Sequence, residues 1–422
     1  MTQALIEDLQ WRGLINQASD LEALGERLDE GSCVLYCGFD PTADSLHIGS
    51  LVPLLTLKRF QDVGHAPIAL VGGATGLIGD PSFKADERSL NEREVVEGWV
   101  ARLRDQVSAF IDFDAGGRVA NNLDWTQGMD VISFLRDVGK HFSVNDMMRK
   151  EMVRERLANE GQGISFTEFS YMLLQSLDFV ELARRHDCML QIGGSDQWGN
   201  ITAGMELVRR MLGKQAHAMT LPLVTKADGT KFGKTESGTI WLDARRTSPY
   251  AFYQFWLNAA DADVGPFLRF FTFLSREEIE ALDARTADAP QERAGQRALA
   301  ESVTRLVHGE SALASAQRIT EALFSGSIDV LQAGDFAQLA QDGLPSAPGG
   351  TDGLKVGQAL SALGLAKSNS AAMQLIKSGA VSINGEAVAD ASAEVASFTP
   401  LDGGYRLVRR GKRNWGLLTP DA

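Results

Sequence analysis

The chain has 422 residues, enough for about three domains that each bury a core of their own. Hydrophobic residues make up 44% and charged residues 23% of it, a composition that excludes an intrinsically disordered protein. No stretch approaches the roughly 20 apolar residues that span a bilayer, and the amino end is acidic where a secretory signal is basic and then apolar. We therefore expect a cytoplasmic protein with no membrane segment.

The cysteines and the net charge narrow the class further. Cys33, Cys37 and Cys188 are odd in number and form no C-x-x-C pair, so we expect reduced thiols and no protein-bound metal. The net charge of −14 argues against a surface that binds nucleic acid throughout. The charge is uneven, because residues 354–422 carry a net charge of +3 and the rest of the chain carries −17.

A basic run near the carboxyl end is the main candidate for contact with a phosphate backbone, and a solvated charged tail is its alternative. It consists of Arg406, Arg409, Arg410, Lys412 and Arg413.

The first half of the chain alternates apolar runs bounded by glycine with amphipathic stretches, the pattern of a parallel α/β sheet. Residues 32–39 and 68–73 predict buried strands, and residues 46–63 predict the crossover helix between them. A second strand is predicted over 189–192, followed by a helix that continues through 210.

The sequence becomes helical after about residue 240. Residues 247–249 (TSP) give a helix-start signal, and Ser275 with Glu278 has the spacing of a capping box. Residues 342–353 (DGLPSAPGGTDG) contain little to bury and predict a linker. Two helical patterns, an apolar run and an Asn-Gly turn follow, so a compact α+β module is expected at the carboxyl end.

Two short motifs suggest a phosphate site. In residues 36–50 (YCGFDPTADSLHIGS) a strand ends, a turn follows and a helix opens, so backbone N–H groups face the carboxyl end of the strand. Residues 231–235 (KFGKT) place two lysines around a glycine, which suits a mobile loop over a polyphosphate. Taken alone, each motif is weak: a surface histidine beside a packing glycine is the commoner explanation of the first, and a solvated lysine-rich turn is the commoner explanation of the second.

Together, HIGS at 47–50 and KFGKT at 231–235 resemble the two signatures of class I aminoacyl-tRNA synthetases. We call them the first and second signatures. Residues 79–82 (GDPS), 166–179 (FTEFSYMLLQSLDF) and 193–200 (GGSDQWGN) narrow the resemblance to the bacterial tyrosyl-tRNA synthetases, over nearly the whole chain.

The resemblance implies a Rossmann-like α/β catalytic domain over 1–240, a small all-helical domain over 241–341 that serves the anticodon region, and a ribosomal-protein-like α+β RNA-binding domain over 354–422. It also implies that L-tyrosine is activated by ATP to tyrosyl-adenylate and transferred to the 3′ end of tRNA(Tyr), with Mg²⁺ accompanying the ATP. Residues 130–149 would form a homodimer interface, with tRNA crossing between subunits.

The implied site residues fall into four groups. Those for tyrosine, of which three have helical i, i+4 and i+7 spacing, are Tyr36, Asp80, Tyr171, Gln175, Asp178 and Gln197. Those for ATP are Cys37, Gly38, Asp40, His47, Gly49, Ser50, Gly194, Asp196 and Lys234. Those for the phosphates during catalysis are Thr42, His47, Lys231, Lys234, Thr235, Lys84 and Arg88. Those for tRNA are Lys367, Lys377 and the basic run from Arg406 to Arg413.

Ser50 stands where many members of the family carry a second histidine, and we expect a modest change in ATP affinity from it. Two alternatives remain. A synthetase for tryptophan is disfavoured by Tyr36 with Asp178, since an indole lacks the hydroxyl that they would bind. A non-catalytic RNA-binding relative is disfavoured because it would not need both halves of an ATP site.

Overall fold

The computed structural model describes residues 2–80, 92–158, 164–230, 232–235, 238–350, 353–411 and 414–420. Five of the residues named above lie outside them: Lys84, Arg88, Lys231, Lys412 and Arg413. The side chains of Lys234 and Thr235 are also outside the description.

The chain divides into two compact units that do not follow chain order. The first unit contains Met1–Asp243 and Ala260–Asp288, and the second contains Ala244–Ala259 and Ala289–Ala422. The two helices within 260–288 therefore pack with the sheet-containing unit, although they follow a segment of the other unit in sequence. The three domain boundaries drawn from the sequence stay a prediction.

A six-stranded sheet forms the centre of the first unit, in the order β1-β6-β5-β2-β3-β4. Four neighbouring pairs are parallel and β1 runs antiparallel to β6. Its central strands are almost continuously buried, as expected of a parallel sheet covered on both faces. This confirms the α/β class. The strands are β1 Gln17–Ala18, β2 Val34–Phe39, β3 Ala66–Val71, β4 Arg118–Asn121, β5 Cys188–Gly194 and β6 His217–Leu221.

Helices connect and cover these strands, and the two predicted strand-helix units are present. The helices are α1 Thr2–Trp11, α2 Leu21–Asp29, α3 Leu51–Asp62, α4 Thr75–Ile78, α5 Arg93–Ser108, α6 Leu123–Thr126, α7 Val131–Ser133, α8 Val144–Arg149, α9 Glu151–Ala158, α10 Phe166–His186 and α11 Trp198–Leu212. A 3-10 turn, Ile48–Ser50, precedes α3. Another, Ser195–Gln197, precedes α11.

The chain reverses its direction of travel across the sheet between β2 and β5. From β2 it proceeds through α3 to β3 on one side, and from β5 it proceeds through α11 to β6 on the other. The carboxyl ends of two adjacent parallel strands therefore open into a crevice, where ligands bind in open α/β sheets. The fold places the candidate site there.

The first unit is completed by the short hairpin β7 Lys234–Thr235 and β8 Gly238–Thr239, and by two helices that return to it. The order of the helices at this point is α12 Pro249–Leu257 in the second unit, then α13 Asp261–Phe271 and α14 Arg276–Asp288 in the first. Both predicted helix starts are confirmed. Ser248 accepts a hydrogen bond from the Ala251 N–H (2.9 Å), and Ser275 and Glu278 bond each other's backbone N–H groups.

The second unit combines helices with a five-stranded sheet in the order β11-β10-β12-β13-β9. The helices are α12, α15 Ala294–Ser325, α16 Ala333–Gln341, α17 Val356–Ala362 and α18 Asn369–Lys377, and α15 is interrupted at Gly309 (φ 83°). The strands are β9 Ser346–Pro348, β10 Val381–Ile383, β11 Glu386–Ala387, β12 Arg406–Arg410 and β13 Asn414–Thr419. The predicted turn joins β10 to β11, with positive φ at Asn384 (51°) and Gly385 (83°).

The interpretation of residues 342–353 purely as a linker was wrong. Ser346–Pro348 is a strand that pairs in parallel with β13, and Ala347 is buried in the core of the module. The opposite face of the same sheet contributes Leu407 and Leu417 to a core shared with α15 and α16. The few apolar residues of this segment are buried by β13 and by the core of the module, which lie elsewhere in the sequence. The sequence of the segment alone therefore did not indicate a strand.

Within the described parts of the chain, no helix is both long enough and apolar enough to cross a membrane.

Candidate active site

A cavity of about 190 Å³ lies at the carboxyl ends of β2 and β5 and extends to α10. We call it the first cavity. All six residues implied for tyrosine binding line it: Tyr36, Asp80, Tyr171, Gln175, Asp178 and Gln197. The middle of α10 brings Gln175 and Asp178 onto the face that Tyr171 occupies, as their spacing predicted.

Asp178 lies at the closed end of the first cavity and is 3% exposed. Its carboxylate accepts hydrogen bonds from the Trp125 indole Nε1–H (2.8 Å) and from the Asn122 side-chain amide (3.0 Å). Burial raises the pKa of Asp178 to about 7, although both hydrogen bonds act in the opposite direction. The group therefore changes charge near neutral pH.

Tyr36 lies beside Asp178 and is 1% exposed. Burial, and after it the neighbouring Asp178, raises the pKa of its phenol. Within the described residues its hydroxyl has no hydrogen-bond partner, and the same holds for the side-chain oxygens of Gln175 and Gln191. All three residues line the first cavity. Unsatisfied buried polar atoms that face a cavity indicate a ligand with matching donors and acceptors.

Asp40 lies between the first cavity and the next one. It accepts hydrogen bonds from the Tyr171 hydroxyl (2.7 Å) and from Thr75 Oγ1 (2.6 Å). The backbone of Gly72 passes so close that an added Cβ would lie 2.0 Å from Asp40 Oδ1. Only glycine fits at this position, and its absence of a side chain fixes where the carboxylate lies.

The open end of the first cavity is formed by the segment that follows β5. Gln197 donates a hydrogen bond to Asp80 Oδ2 (2.7 Å), so the two implied tyrosine ligands are joined. Asp196 lies next to them, and its pKa is raised by burial and by the charge of Asp80. A Cβ at Gly194 would lie 2.4 Å from Asp196 Oδ1.

A second cavity, of about 360 Å³, shares Gly38, Asp40, Pro53 and Gly194 with the first. Its further lining includes four residues implied for ATP and its phosphates: Thr42, His47, Gly49 and Ser50. The Ser50 side chain does not cap α3. Of the remaining implied ATP residues, Cys37 and Asp196 line the first cavity. Burial raises the pKa of the Cys37 thiol to about 12, so it is not a nucleophile.

His47 is held by the start of the 3-10 turn. Its Nδ1 accepts a hydrogen bond from the Gly49 N–H (3.0 Å), and a Cβ at Gly49 would lie 2.8 Å from the His47 ring. The surrounding protein lowers the pKa of His47 by desolvation, which favours the neutral ring at pH 7. A neutral ring with Nδ1 as acceptor carries its proton on Nε2, which is then a donor for an anion.

The chain that follows the second signature runs antiparallel to the first. Ile48 N–H donates to the carbonyl of Ile240 (3.1 Å), and Leu242 N–H donates to that of Leu46 (2.8 Å). The rings of His47 and Trp241 meet edge to face with centroids 6.5 Å apart. The fold therefore brings the two signatures together although about 180 residues separate them.

Two sequence profiles match this chain. The profile described as tRNA synthetases class I (W and Y) matches residues 28–325, and that of the tyrosine–tRNA ligase SYY-like C-terminal domain matches residues 335–418. The tyrosine–tRNA ligase of Aliivibrio fischeri strain MJ11 is 60% identical over 419 residues, which cover 99% of this chain and 98% of that protein. The chain belongs to the tyrosine–tRNA ligase family. The resemblance drawn from the motifs is confirmed.

Further relatives and solved structures are also similar to this chain over most of its length. The tyrosine–tRNA ligase of Chromobacterium violaceum is 58% identical over 421 residues, 99% of each chain. A C-terminally truncated mitochondrial tyrosyl-tRNA synthetase from Aspergillus nidulans superposes with a TM-score of 0.69 at 29% identity, over 76% of this chain and 94% of that one. The tyrosyl-tRNA synthetase of Archaeoglobus fulgidus, solved with L-tyrosine, has the same fold at 14% identity, with a TM-score of 0.55 over 73% of this chain and 99% of that one.

Among the described residues, the three arginines of β12 that are implied for tRNA binding do not lie on one face of their sheet. On β12, Arg406 and Arg410 point to one face of the sheet, and their side chains donate to the carbonyls of Phe398 (2.8 Å) and Leu365 (2.6 Å). Arg409 points to the other face and lies over the ring of Trp415. The side chains of Lys367 and Lys377 are exposed.

Sequence reasoning missed three residues around Asp178. Asn122 and Trp125 follow β4, where polar side chains at a strand end were the available signal. Asn122 also donates to Thr75 Oγ1 (3.0 Å), which in turn donates to Asp40. Thr75, Asn122 and Trp125 thus join the two carboxylates of the site into one hydrogen-bonded network.

Proposed function

We propose that the first cavity binds L-tyrosine and that the second holds the phosphates of ATP, so that tyrosyl-adenylate forms where the two meet. Because the chain belongs to this family, it is an enzyme that activates tyrosine with ATP and transfers it to tRNA. The assignment of the first cavity to tyrosine is supported by the Tyr36 hydroxyl beside Asp178 at the closed end, which has no hydrogen-bond partner among the described residues.

The orientation of the substrate follows from the charges. A phenol at the closed end would satisfy Tyr36 and Asp178, which a phenylalanine side chain cannot do. Its ammonium group would then lie toward Asp80, Tyr171 and Gln175, where carboxylate and side-chain oxygens converge. The carboxylate would face Gln197 and the second cavity.

Activation needs positioning and charge stabilisation. The tyrosine carboxylate attacks the α-phosphorus in line, the bond to the bridging oxygen breaks, and pyrophosphate leaves with the electron pair. Thr42 and the His47 Nε2–H line the second cavity, where they would donate to phosphate oxygens. Lys231, Lys234 and Thr235 of the second signature, together with Lys84 and Arg88, would supply the remaining donors.

Mg²⁺ enters this proposal as part of the substrate. In the described residues no group of three or more His, Cys, Asp or Glu side chains is placed to hold a metal ion. The ion would therefore be bound chiefly by phosphate oxygens and water, and it would neutralise charge on the leaving group.

We also propose that the chain works as a homodimer. Large apolar side chains are exposed over residues 131–148, namely Val131, Ile132, Leu135, Val144 and Met148. Several exposed large apolar side chains within one short segment are typical of a protein interface. Transfer to tRNA would follow activation, with the module over 354–422 contributing Lys367, Lys377 and arginines of β12.

The test is exchange of labelled pyrophosphate into ATP, run separately with tyrosine, phenylalanine and tryptophan and without tRNA. Exchange with tyrosine alone is expected. Exchange with tryptophan would overturn the assignment of Tyr36 and Asp178 to a phenol. If folded protein that still binds tRNA shows no exchange with any of the three amino acids, the proposed activation of tyrosine by ATP is overturned.

A further inference from the structure

One face of α13 receives the segment that carries the second signature. Asp263, Phe267 and Phe271 are spaced i, i+4 and i+8, and all three side chains are buried. The Asp263 carboxylate accepts a hydrogen bond from the Ala227 N–H (2.7 Å). Phe232 lies against both rings, with centroids 5.1 Å from Phe267 and 5.2 Å from Phe271. The segment is thus attached to α13 at two points.

Residues 226–230, which contain the first of these two points, form a turn closed by its own hydrogen bonds. The carbonyl of Lys226 accepts from Gly229 N–H (2.9 Å), and the Lys226 N–H donates to the carbonyl of Thr230 (3.2 Å). The Asp228 carboxylate accepts from the Thr230 N–H (2.8 Å) and hydroxyl (2.6 Å). Because this turn has its own hydrogen bonds, Phe232 is anchored relative to Asp263.

The residue after Phe232 fits against the first signature. Gly233 has φ +81°, and an added Cβ would lie 3.0 Å from Ile48 Cγ1. Its carbonyl accepts from the Ile240 N–H (3.0 Å), and the Ile240 carbonyl accepts from Ile48 N–H (3.1 Å). A shift of Phe232 would therefore be transmitted to the backbone next to His47.

The carboxyl end of α13 is held by α3, the helix that begins after the first signature. Arg59, in the last turn of α3, is 5% exposed and donates to the carbonyl of Thr272 (2.5 Å). Arg12, which directly follows α1, donates to the carbonyl of Leu274 (2.8 Å). The amino end of α3 therefore follows the first signature, and its carboxyl end holds α13, against which the segment with the second signature packs.

We propose that Phe232, seated on Phe267 and Phe271, is a positioning residue for the two lysines of the second signature. The inference rests on the proposed function, in which these lysines stabilise the leaving pyrophosphate. In sequence Phe232 stands between Lys231 and Lys234. Packing of its ring on α13 therefore restrains the backbone from which both lysines extend. Phe232 lines the second cavity, whereas the residues implied for the phenol line the first. We therefore expect its seat to act on tyrosine activation and not on binding of the phenol.

The experiment compares Phe232→Leu with Phe232→Tyr, which keeps the ring. A misplacement of about 1 Å at a reacting centre can cost on the order of 100-fold in rate. We expect Phe232→Leu to lower kcat of pyrophosphate exchange by about 10- to 100-fold, with an unchanged Kd for tyrosine and an unchanged rate of transfer from preformed tyrosyl-adenylate to tRNA. Phe232→Tyr should restore kcat. Phe113→Leu, at an exposed ring elsewhere in the same unit, is the matched control.

A double-mutant cycle keeps the inference testable if one variant is unstable. Phe232→Leu and Phe271→Leu should be strongly non-additive in kcat because they break the same contact, and Phe267→Leu can replace the second variant. Additive effects, or equal loss in activation and transfer, would overturn the inference. If wild-type protein shows no exchange with tyrosine, the proposed function fails; if it exchanges normally and Phe232→Leu does too, only the positioning role fails.

Discussion

Trp125 donates a hydrogen bond from its indole Nε1–H to Asp178 Oδ1 at 2.8 Å, across the closed end of the first cavity. Asp178 is buried, so this bond stabilises the carboxylate where water cannot. Asn122 serves the other oxygen and continues through Thr75 to Asp40. The end of the first cavity that we propose for the phenol and the carboxylate beside the second cavity therefore share one hydrogen-bonded network.

Trp125→Phe should weaken tyrosine binding. The ring is kept but its donor is lost, so the pKa of Asp178 should rise further and its carboxylate should become a poorer acceptor. A hydrogen bond to a charged group is worth about 1.5–3 kcal/mol, so a Kd for tyrosine about tenfold or more higher is expected. Calorimetric titration with tyrosine measures it. Trp415→Phe, in the other unit, is the control, and an unchanged Kd for Trp125→Phe would contradict the role of this bond.

The pKa of Asp178 predicts a pH dependence of stability. Its pKa is raised to about 7 in the folded protein, whereas a free aspartate titrates near about 3.9. The folded state thus binds the proton more tightly than the unfolded chain does. Stability from this group is fully present below about pH 4 and is lost as the pH rises to about 7, by up to about 4 kcal/mol.

Urea denaturation of the ligand-free protein at pH 5, 6 and 7.5, beside Asp178→Asn, isolates this contribution. Other titrating groups affect both proteins equally. The wild type should lose more stability than Asp178→Asn as the pH rises. Parallel pH profiles would show that Asp178 is not the source of the effect.

Tyr36→Phe should narrow the preference for tyrosine over phenylalanine. The Tyr36 hydroxyl has no partner among the described residues, so its removal deprives only a bound phenol of a hydrogen bond. We expect kcat/KM for tyrosine to fall by about tenfold and that for phenylalanine to stay unchanged. Exchange kinetics with both amino acids give the ratio. An equal fall for both would indicate a general disturbance of the cavity.

The parts of this molecule that the sequence predicts are those with local signals. The strand-helix units around 34–71 and 188–212 follow from periodicity, and the shared face of Tyr171, Gln175 and Asp178 follows from helical spacing. The two signatures were recognisable because each is a compact motif.

What the sequence did not predict depends on contacts between distant segments. Trp125 is 53 residues from Asp178 in sequence, and the residues around either one do not indicate that the two side chains meet. The strand Ser346–Pro348 exists because β13 provides its partner. The arginines that look like one cluster on β12 are divided by the alternation of a strand, which places Arg409 opposite Arg406 and Arg410.

Ile132→Asp should separate the proposed dimer. Ile132 is 70% exposed and Val131 is 71% exposed, so a charge there costs the folded chain little but would be buried without a partner in an interface. Light scattering after size exclusion should give about twice 45.7 kDa for the wild type and 45.7 kDa for the variant. Phe324→Asp, at an exposed ring in the other unit, should not change the mass. A single 45.7 kDa species from the wild type at micromolar concentration would contradict the dimer.

Gly72→Ala should abolish tyrosine binding, whereas Gly98→Ala should be harmless. A Cβ at Gly72 would lie 2.0 Å from Asp40 Oδ1 and 2.3 Å from Thr75 Oγ1, so the carboxylate that holds Tyr171 must move. Such overpacking costs typically about 1–3 kcal/mol. Gly98 lies on the exposed side of α5 with no atom within 4 Å of an added Cβ, and alanine there should stabilise the helix by about 1 kcal/mol. Urea denaturation and tyrosine titration of both variants separate these effects. Wild-type tyrosine affinity in Gly72→Ala would show that the position of Asp40 does not govern the first cavity.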